Sequence, residues 1–153
     1  MHLTSFCDYT LRVLLYLAVH RDRPVSVREV SQAYGVSSHH LVKVVQRLVE
    51  HELVETTRGR MGGLRLTASP ADINVGAIVR MTEPHMDLVE CFDRDSSDCR
   101  IESACVLRGV FGEPLAAFFR ALDGYTLADL LAPKPRLSKM LVLTDQRARR
   151  AAP

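Results

Sequence analysis

Two short helical patterns joined by a glycine turn, followed at once by two short β-prone runs, constrain this chain more than any other feature. Ser26 followed by Glu29 is a capping-box pattern, in which each side chain satisfies a free backbone donor at a helix start. The helix it opens turns Val27, Val30 and Ala33 inward and stops at Gly35, a natural left-handed cap. Val36 and Ser37 make a short turn, and Ser37 or Ser38 caps a second helix running to about Glu50. Leu41, Val44, Val45 and Leu48 recur along that helix at helical spacing. Two such helices form a helix-turn-helix. Leu53 to Thr57 and Leu64 to Thr67, set around Arg58-Gly59-Arg60-Met61-Gly62-Gly63, read as a hairpin. Helix-turn-helix plus an arginine-tipped hairpin is a winged helix.

The flanking segments complete a mainly α fold. From Ser5 to His20, Phe6, Tyr9, Leu11, Leu14, Leu15, Leu17 and Ala18 give one broad buried helix face, ended by Arg21-Asp22-Arg23-Pro24. After the hairpin a helix is predicted from about Val75 to Glu83, stopping at Pro84. Residues Met86 to Ala104 read as an acidic, polar loop carrying Cys91 and Cys99. Beyond Cys105 the apolar residues Leu107, Val110, Phe111, Leu115, Phe118, Phe119 and Leu122 form a stripe wider than one domain's core requires, so part of it is expected to face a second subunit. Pro114 predicts a bend there, since proline removes a helical hydrogen bond. Gly124 closes this helix, and Thr126 with Asp129 starts a short one. The expected organisation is a winged helix-turn-helix DNA-binding domain over 1–83, a cysteine-bearing loop over 84–105, a helical dimerisation arm over 106–143 and a disordered tail over 144–153.

At 153 residues the chain can bury a core without disulfide staples. The longest apolar run, Val13 to Val19, falls far short of the ~20 residues a membrane span needs. It lies behind Asp8 without a basic leader, so no signal peptide is read and a cytoplasmic location is expected. Tryptophan is absent and aromatics are 6%, which argues against a stacking platform for single strands. The net charge of +2 decides little, but its distribution is polar. Arg58, Arg60 and Arg65 lie in a stretch with no acid, whereas Asp87, Glu90, Asp93, Asp95, Asp98 and Glu102 crowd around Arg94 and Arg100. One pole suits phosphate and the other repels it. No nucleophile–base pair or paired carboxylate motif is present, so no enzyme activity is expected.

The second helix of the helix-turn-helix would enter a major groove and present Ser37, Ser38, His39, His40, Lys43 and Arg47. Hydroxyls and imidazoles hydrogen-bond base edges, and Lys43 and Arg47 meet phosphates. Arg28 on the preceding helix and the wing residues Arg58, Arg60 and Arg65 extend the candidate double-stranded-DNA surface. Taken singly, each of these is equally a solvated surface residue. Only the assembled pattern points to DNA.

Cys91, Cys99 and Cys105 are seven and five residues apart in their gaps, without the paired C-x-x-C spacing of a structural zinc site. In a reducing compartment such clustering points to metal or redox chemistry rather than disulfides, and soft thiolates suit iron. Three cysteines leave one iron a ligand short. On spacing alone a zinc ion held by these three and His85 remains open.

Leu3-Thr4-Ser5-Phe6-Cys7-Asp8-Tyr9-Thr10-Leu11-Arg12, Tyr34-Gly35-Val36-Ser37, Leu41-Val42-Lys43, the whole wing from Arg58 to Leu66, and Tyr125-Thr126-Leu127-Ala128-Asp129-Leu130 resemble the iron–sulfur winged-helix repressors over nearly the whole chain, to about residue 143. Within that family the chain is most similar to the nitric-oxide-sensing branch. The resemblance implies a homodimer that binds palindromic operator DNA and releases it when nitric oxide attacks the cluster. It further implies an iron–sulfur cluster on Cys91, Cys99 and Cys105, with a 4Fe-4S form favoured over 2Fe-2S and an oxygen of Asp8 from the partner subunit as fourth ligand. Asp8 has a local alternative in an ion pair with Arg12, four residues on. Cys7 beside it is read as a buried thiol, because adjacent helix residues point about 100° apart. The sister branch that reports on cluster supply carries a histidine ligand three residues after the third cysteine. Here that residue is Arg108, which cannot coordinate iron.

Overall fold

The structure is a computed structural model that describes residues 2–59, 62–83, 85–86, 88–92, 98–101, 103–133 and 135–141. Its elements run α1 (Ser5–Val19), α2 (Val27–Tyr34), α3 (Ser38–Glu50), β1 (Val54–Thr57), β2 (Gly63–Leu66), α4 (Val75–Thr82) and α5 (Leu107–Asp123), with single 3₁₀ turns at Pro70–Asp72, Glu90–Phe92 and Asp129–Leu131. It is a mainly helical winged helix-turn-helix.

Thr4 caps α1, a cap not anticipated from the sequence, its hydroxyl accepting from Cys7 N–H at 3.2 Å. The other local signals act as the sequence predicts. Ser26 caps α2 by accepting from Glu29 N–H at 3.1 Å, and Gly35 ends that helix at φ 66°, a backbone that a Cβ would strain. Ser37 caps α3. The capping box at Ser26 is only half made, however. The Glu29 carboxylate turns away to take hydrogen bonds from Arg23 and from the Tyr16 hydroxyl, at 3.0 Å each. A second, reciprocal box forms at Thr126 and Asp129, where the carboxylate accepts from Thr126 N–H and Oγ1 at 2.7 Å each.

β1 and β2 pair antiparallel, from Val54 opposite Leu66 to Thr57 opposite Gly63. Val25 adds a short third rung against Leu64. A Cβ on Gly63 would stand 2.9 Å from Val25 O, so the sheet closes there only around glycine.

The core lies where α1, α3 and the hairpin meet. Val13, Leu14, Leu17, Leu41, Val44, Leu48, Val54, Leu64 and Leu66 are all buried in it. Leu127, 1% exposed, and Leu141, 8% exposed, belong to the same core. The chain after α5 therefore returns to pack on α1, with Leu130, Leu131 and Leu137 lining the way.

Two expectations differ from the structure. Pro114 does not interrupt α5, which runs as one helix through Gly109, Gly112 and Pro114. Proline withdraws a single N–H, and the turns on both sides keep their own bonds. The Met86–Ala104 stretch is not loop throughout, since Glu90–Phe92 forms a 3₁₀ turn that buries Cys91. Pro84, Asp87, Asp93, Arg94, Asp95, Glu102 and the tail over 144–153 lie outside the described residues.

α4 and α5 meet at a tight joint. Arg80 binds Asp123 through both oxygens at 2.6 Å, and its guanidinium lies 4.4 Å from the Phe119 ring centre. Asn74 caps α4 and also donates to the backbone oxygens of Asp123 and Tyr125. The far end of α5 is bare. Leu107, Val110 and Phe111 are 46%, 58% and 37% exposed, and no residue of α5 is fully buried.

Candidate functional site

The first candidate surface is built on α3. Its buried stripe of Leu41, Val44, Val45 and Leu48 fixes which face remains outside, and that face carries Ser38, His39, His40, Lys43 and Arg47 with Ser37 at the cap, all exposed. Arg47 makes a long surface pair with Glu50 at 3.6 Å, which screening leaves weak. Arg28 is exposed on the first turn of α2, and Arg58 is exposed at the end of β1. Arg65 sits lower on the wing, half-buried, with its Nη1 donating to Arg21 O at 3.4 Å. Arg60 lies outside the described residues. The structure therefore brings the α3 residues onto one face, whereas Arg65 braces the base of the wing.

Against this face lie residues of α1 that the sequence did not single out as DNA contacts. The His40 ring stacks on Tyr9, with centres 6.2 Å apart and planes 19° from parallel. Ser5, Phe6, Tyr9, His40 and Lys43 line one pocket of about 190 Å³.

The second candidate site is the cysteine pocket. Cys91, Cys99 and Cys105 are free thiols, and all three line a single cavity of about 110 Å³ with Val89, Glu90, Ile101, Leu107 and Arg108. Glu90 braces one rim, its Oε1 accepting from Asp98 N–H at 3.2 Å. Among the described residues no three of His, Cys, Asp or Glu are gathered tightly enough for a single metal ion. Thiolates on one zinc must stand within about 4 Å of each other, given Zn–S bonds of about 2.3 Å. Three soft thiol donors around one shared, mainly apolar cavity suit iron–sulfur chemistry. Arg108 lines this cavity three residues beyond Cys105.

Asp8 is not among the residues lining that pocket. Its carboxylate is held by Arg12, with Nε to Oδ1 at 3.0 Å and Nη2 to Oδ2 at 2.8 Å, and the side chain stays 47% exposed. Cys7 is fully buried and faces Thr82 and Glu83. Burial pushes its thiol up from the ordinary value, and the neighbouring Glu83 carboxylate adds to that. Glu83 itself, 7% exposed, accepts from Thr4 N–H at 2.6 Å and Thr4 Oγ1 at 2.8 Å. The start of the cysteine-bearing segment is thereby pinned to the start of the helix that carries Asp8. Nothing local in the sequence signals this contact, because its partners are 79 residues apart.

Known proteins resemble the chain throughout. It is 45% identical over 144 residues to the HTH-type transcriptional regulator NsrR of Halalkalibacterium halodurans, covering 94% of this chain and 99% of that one. It is 43% identical over 146 residues to the NsrR regulator of Bacillus subtilis, covering 95% and 100%. Among solved structures, CymR, the global cysteine regulator of B. subtilis, matches with a TM-score of 0.69 at 27% identity, over 85% of this chain and 95% of the other. IscR of T. potens matches with a TM-score of 0.67 at 27% identity, over 86% of each. No helix among the described residues is long and apolar enough to cross a membrane. The relatives are named as regulators of transcription, so this chain is a transcriptional regulator and not an enzyme. The family model of iron-dependent transcriptional regulators matches residues 3–133, and the chain belongs to that family, Rrf2.

Proposed function

We propose that the chain is a homodimeric repressor that binds palindromic operator DNA while it carries an iron–sulfur cluster, and releases the DNA in response to nitric oxide. The observation that carries this reading is the single cavity shared by Cys91, Cys99 and Cys105 in a chain whose α3 face is free for DNA. Cys91, Cys99 and Cys105 would hold the cluster, with Asp8 of the partner subunit as the oxygen ligand. When bound, the cluster supplies iron that reacts with nitric oxide, most readily where the weaker oxygen ligand leaves it open.

The chain's own residues set the rest. Arg12 holds the Asp8 carboxylate oriented on the outer face of α1. Glu83 fixes the end of α1 from which Asp8 projects. The bare apolar end of α5 offers the second subunit a surface beside the cysteine pocket. Two recognition helices in such a dimer must stand near one DNA turn apart, ~34 Å, to read a palindrome. Ser37, Ser38, His39, His40, Lys43 and Arg47 would meet bases and phosphates, with Arg28, Arg58, Arg60 and Arg65 flanking them. A cluster-supply regulator is the second reading, favoured by the likeness to IscR. Arg108 stands against it, placing a cation in the cysteine pocket where that branch needs an imidazole.

Nitric oxide titrated anaerobically into the brown protein tests the proposal, with visible absorbance and operator binding followed together. Bleaching of the cluster band in step with lost DNA affinity supports it. A protein that is colourless when prepared without oxygen, or that binds DNA equally before and after, sinks the sensing claim.

A further inference from the structure

We infer that the pocket between α1 and α3 is a seat for one DNA backbone phosphate, so that the first turns of α1 grip the duplex together with the recognition helix. This rests on the DNA-binding reading above and extends it to residues outside the helix-turn-helix.

The geometry comes from two helix faces. Ser5 and Tyr9 are four residues apart on α1, and His40 and Lys43 are three apart on α3, so each pair shares one face of its helix. The two faces line one pocket of about 190 Å³, which Phe6 also lines. The polar side chains among its lining residues are those of Lys43, Ser5, Tyr9 and His40, set against a largely apolar wall. Every one of them can donate a hydrogen bond, and no carboxylate lines the pocket. A cation with surrounding neutral donors and no competing anion is complementary to a phosphodiester oxygen.

Its position selects DNA as the source of that phosphate. The pocket continues directly from the exposed face of α3, on which Ser37, Ser38 and His39 would read bases. Phosphates flank the groove that a recognition helix enters, and contacts to them fix the protein's register. The Tyr9–His40 stack then has a purpose. It holds the imidazole on the wall of the seat and ties α1 to α3 at that point.

Tyr9→Phe removes one donor and leaves the stacking ring in place, Ser5→Ala removes an exposed hydroxyl, and Lys43→Gln removes the charge. Binding of the full-length, cluster-loaded protein is measured by fluorescence anisotropy on a random-sequence duplex and on a duplex selected from a random pool by the wild type. Tyr9→Phe is expected to weaken both by about two- to tenfold, the size of one net hydrogen bond. Ser5→Ala is expected to do the same. Lys43→Gln should flatten the log–log salt dependence by about 0.9, the release of one counterion.

Scanning the selected duplex with single neutral methylphosphonates locates the seat independently of folding. One position should weaken the wild type yet cost Tyr9→Phe and Lys43→Gln much less. Tyr9→Phe and Ser5→Ala binding both duplexes like wild type overturns the seat, as does a loss confined to the selected sequence, which would mean base reading. A wild type that binds neither duplex overturns the DNA-binding reading and the seat with it.

Discussion

At the residue scale, the same carboxylate can serve two masters. Asp8 lies bidentate on Arg12, the local role that its i,i+4 spacing predicts, and it is half exposed and turned outward, where a second subunit can reach it. Glu29 is a residue whose role the sequence described only in part. The spacing Ser26–Glu29 revealed the cap but not that the carboxylate would leave it for Arg23 and Tyr16, which arrive from elsewhere in the fold. Burial alone would raise the Glu29 carboxyl. The hydrogen bonds from Arg23 and Tyr16 outweigh it and hold the group below the ordinary glutamate value.

A depressed carboxylate stabilises the fold above its unfolded pKa, and that stability is lost as pH falls through the folded pKa. Glu29→Gln is therefore expected to cost about 1 kcal/mol at neutral pH, limited by solvent screening of the pair. The difference should vanish in acid, as thermal unfolding over a pH series would show. A deficit that stays constant with pH would mean that packing, not charge, is what Glu29 provides.

At the element scale, helix starts and stops were legible because each depends on one or two neighbouring residues. Ser26, Ser37, Gly35 and Thr126–Asp129 all act where the sequence puts them. Element contacts were not legible, because Arg80 and Asp123 are 43 residues apart and no periodicity links them. The glycine at 76 is the clearest case. Within α4 it looks like a weak helix former, yet a Cβ there would stand 2.1 Å from Asp123 Oδ1 and 3.1 Å from Asp123 N.

Gly76→Ala gains about 1 kcal/mol of helix propensity but overpacks the joint by about 1–3 kcal/mol. The carboxylate could swing aside only by leaving Arg80. We expect net destabilisation in thermal melts, with Asp123→Ala relieving the clash at the loss of the clamp. A more stable Gly76→Ala protein would show that the joint is looser than the geometry implies.

At the scale of the whole molecule, Cys91, Cys99 and Cys105 line one cavity, and the spacing of their gaps could not give its apolar walls or the intrusion of Arg108. The bare end of α5 exposes Leu107, Val110 and Phe111, and a charge placed there separates dimerisation from folding. Val110→Asp, at a side-chain site already 58% exposed, is expected to leave the unfolding temperature within a few degrees and to shift sedimentation from dimer to monomer. Affinity for a palindrome should fall with it, while affinity for a half-site should not. A variant that sediments as the wild type does would place the interface elsewhere.

The return of the chain to its starting core carries a consequence for where the chain can be cut. Leu127 and Leu141 fill the same interior as the helix-turn-helix, so a fragment ended before α5 would open an apolar socket on α1 rather than expose a finished surface. The helix-turn-helix and the segment that follows α5 are thus one folding unit. A substitution within the cysteine-bearing segment leaves that shared interior closed, whereas cutting the chain after the wing opens it.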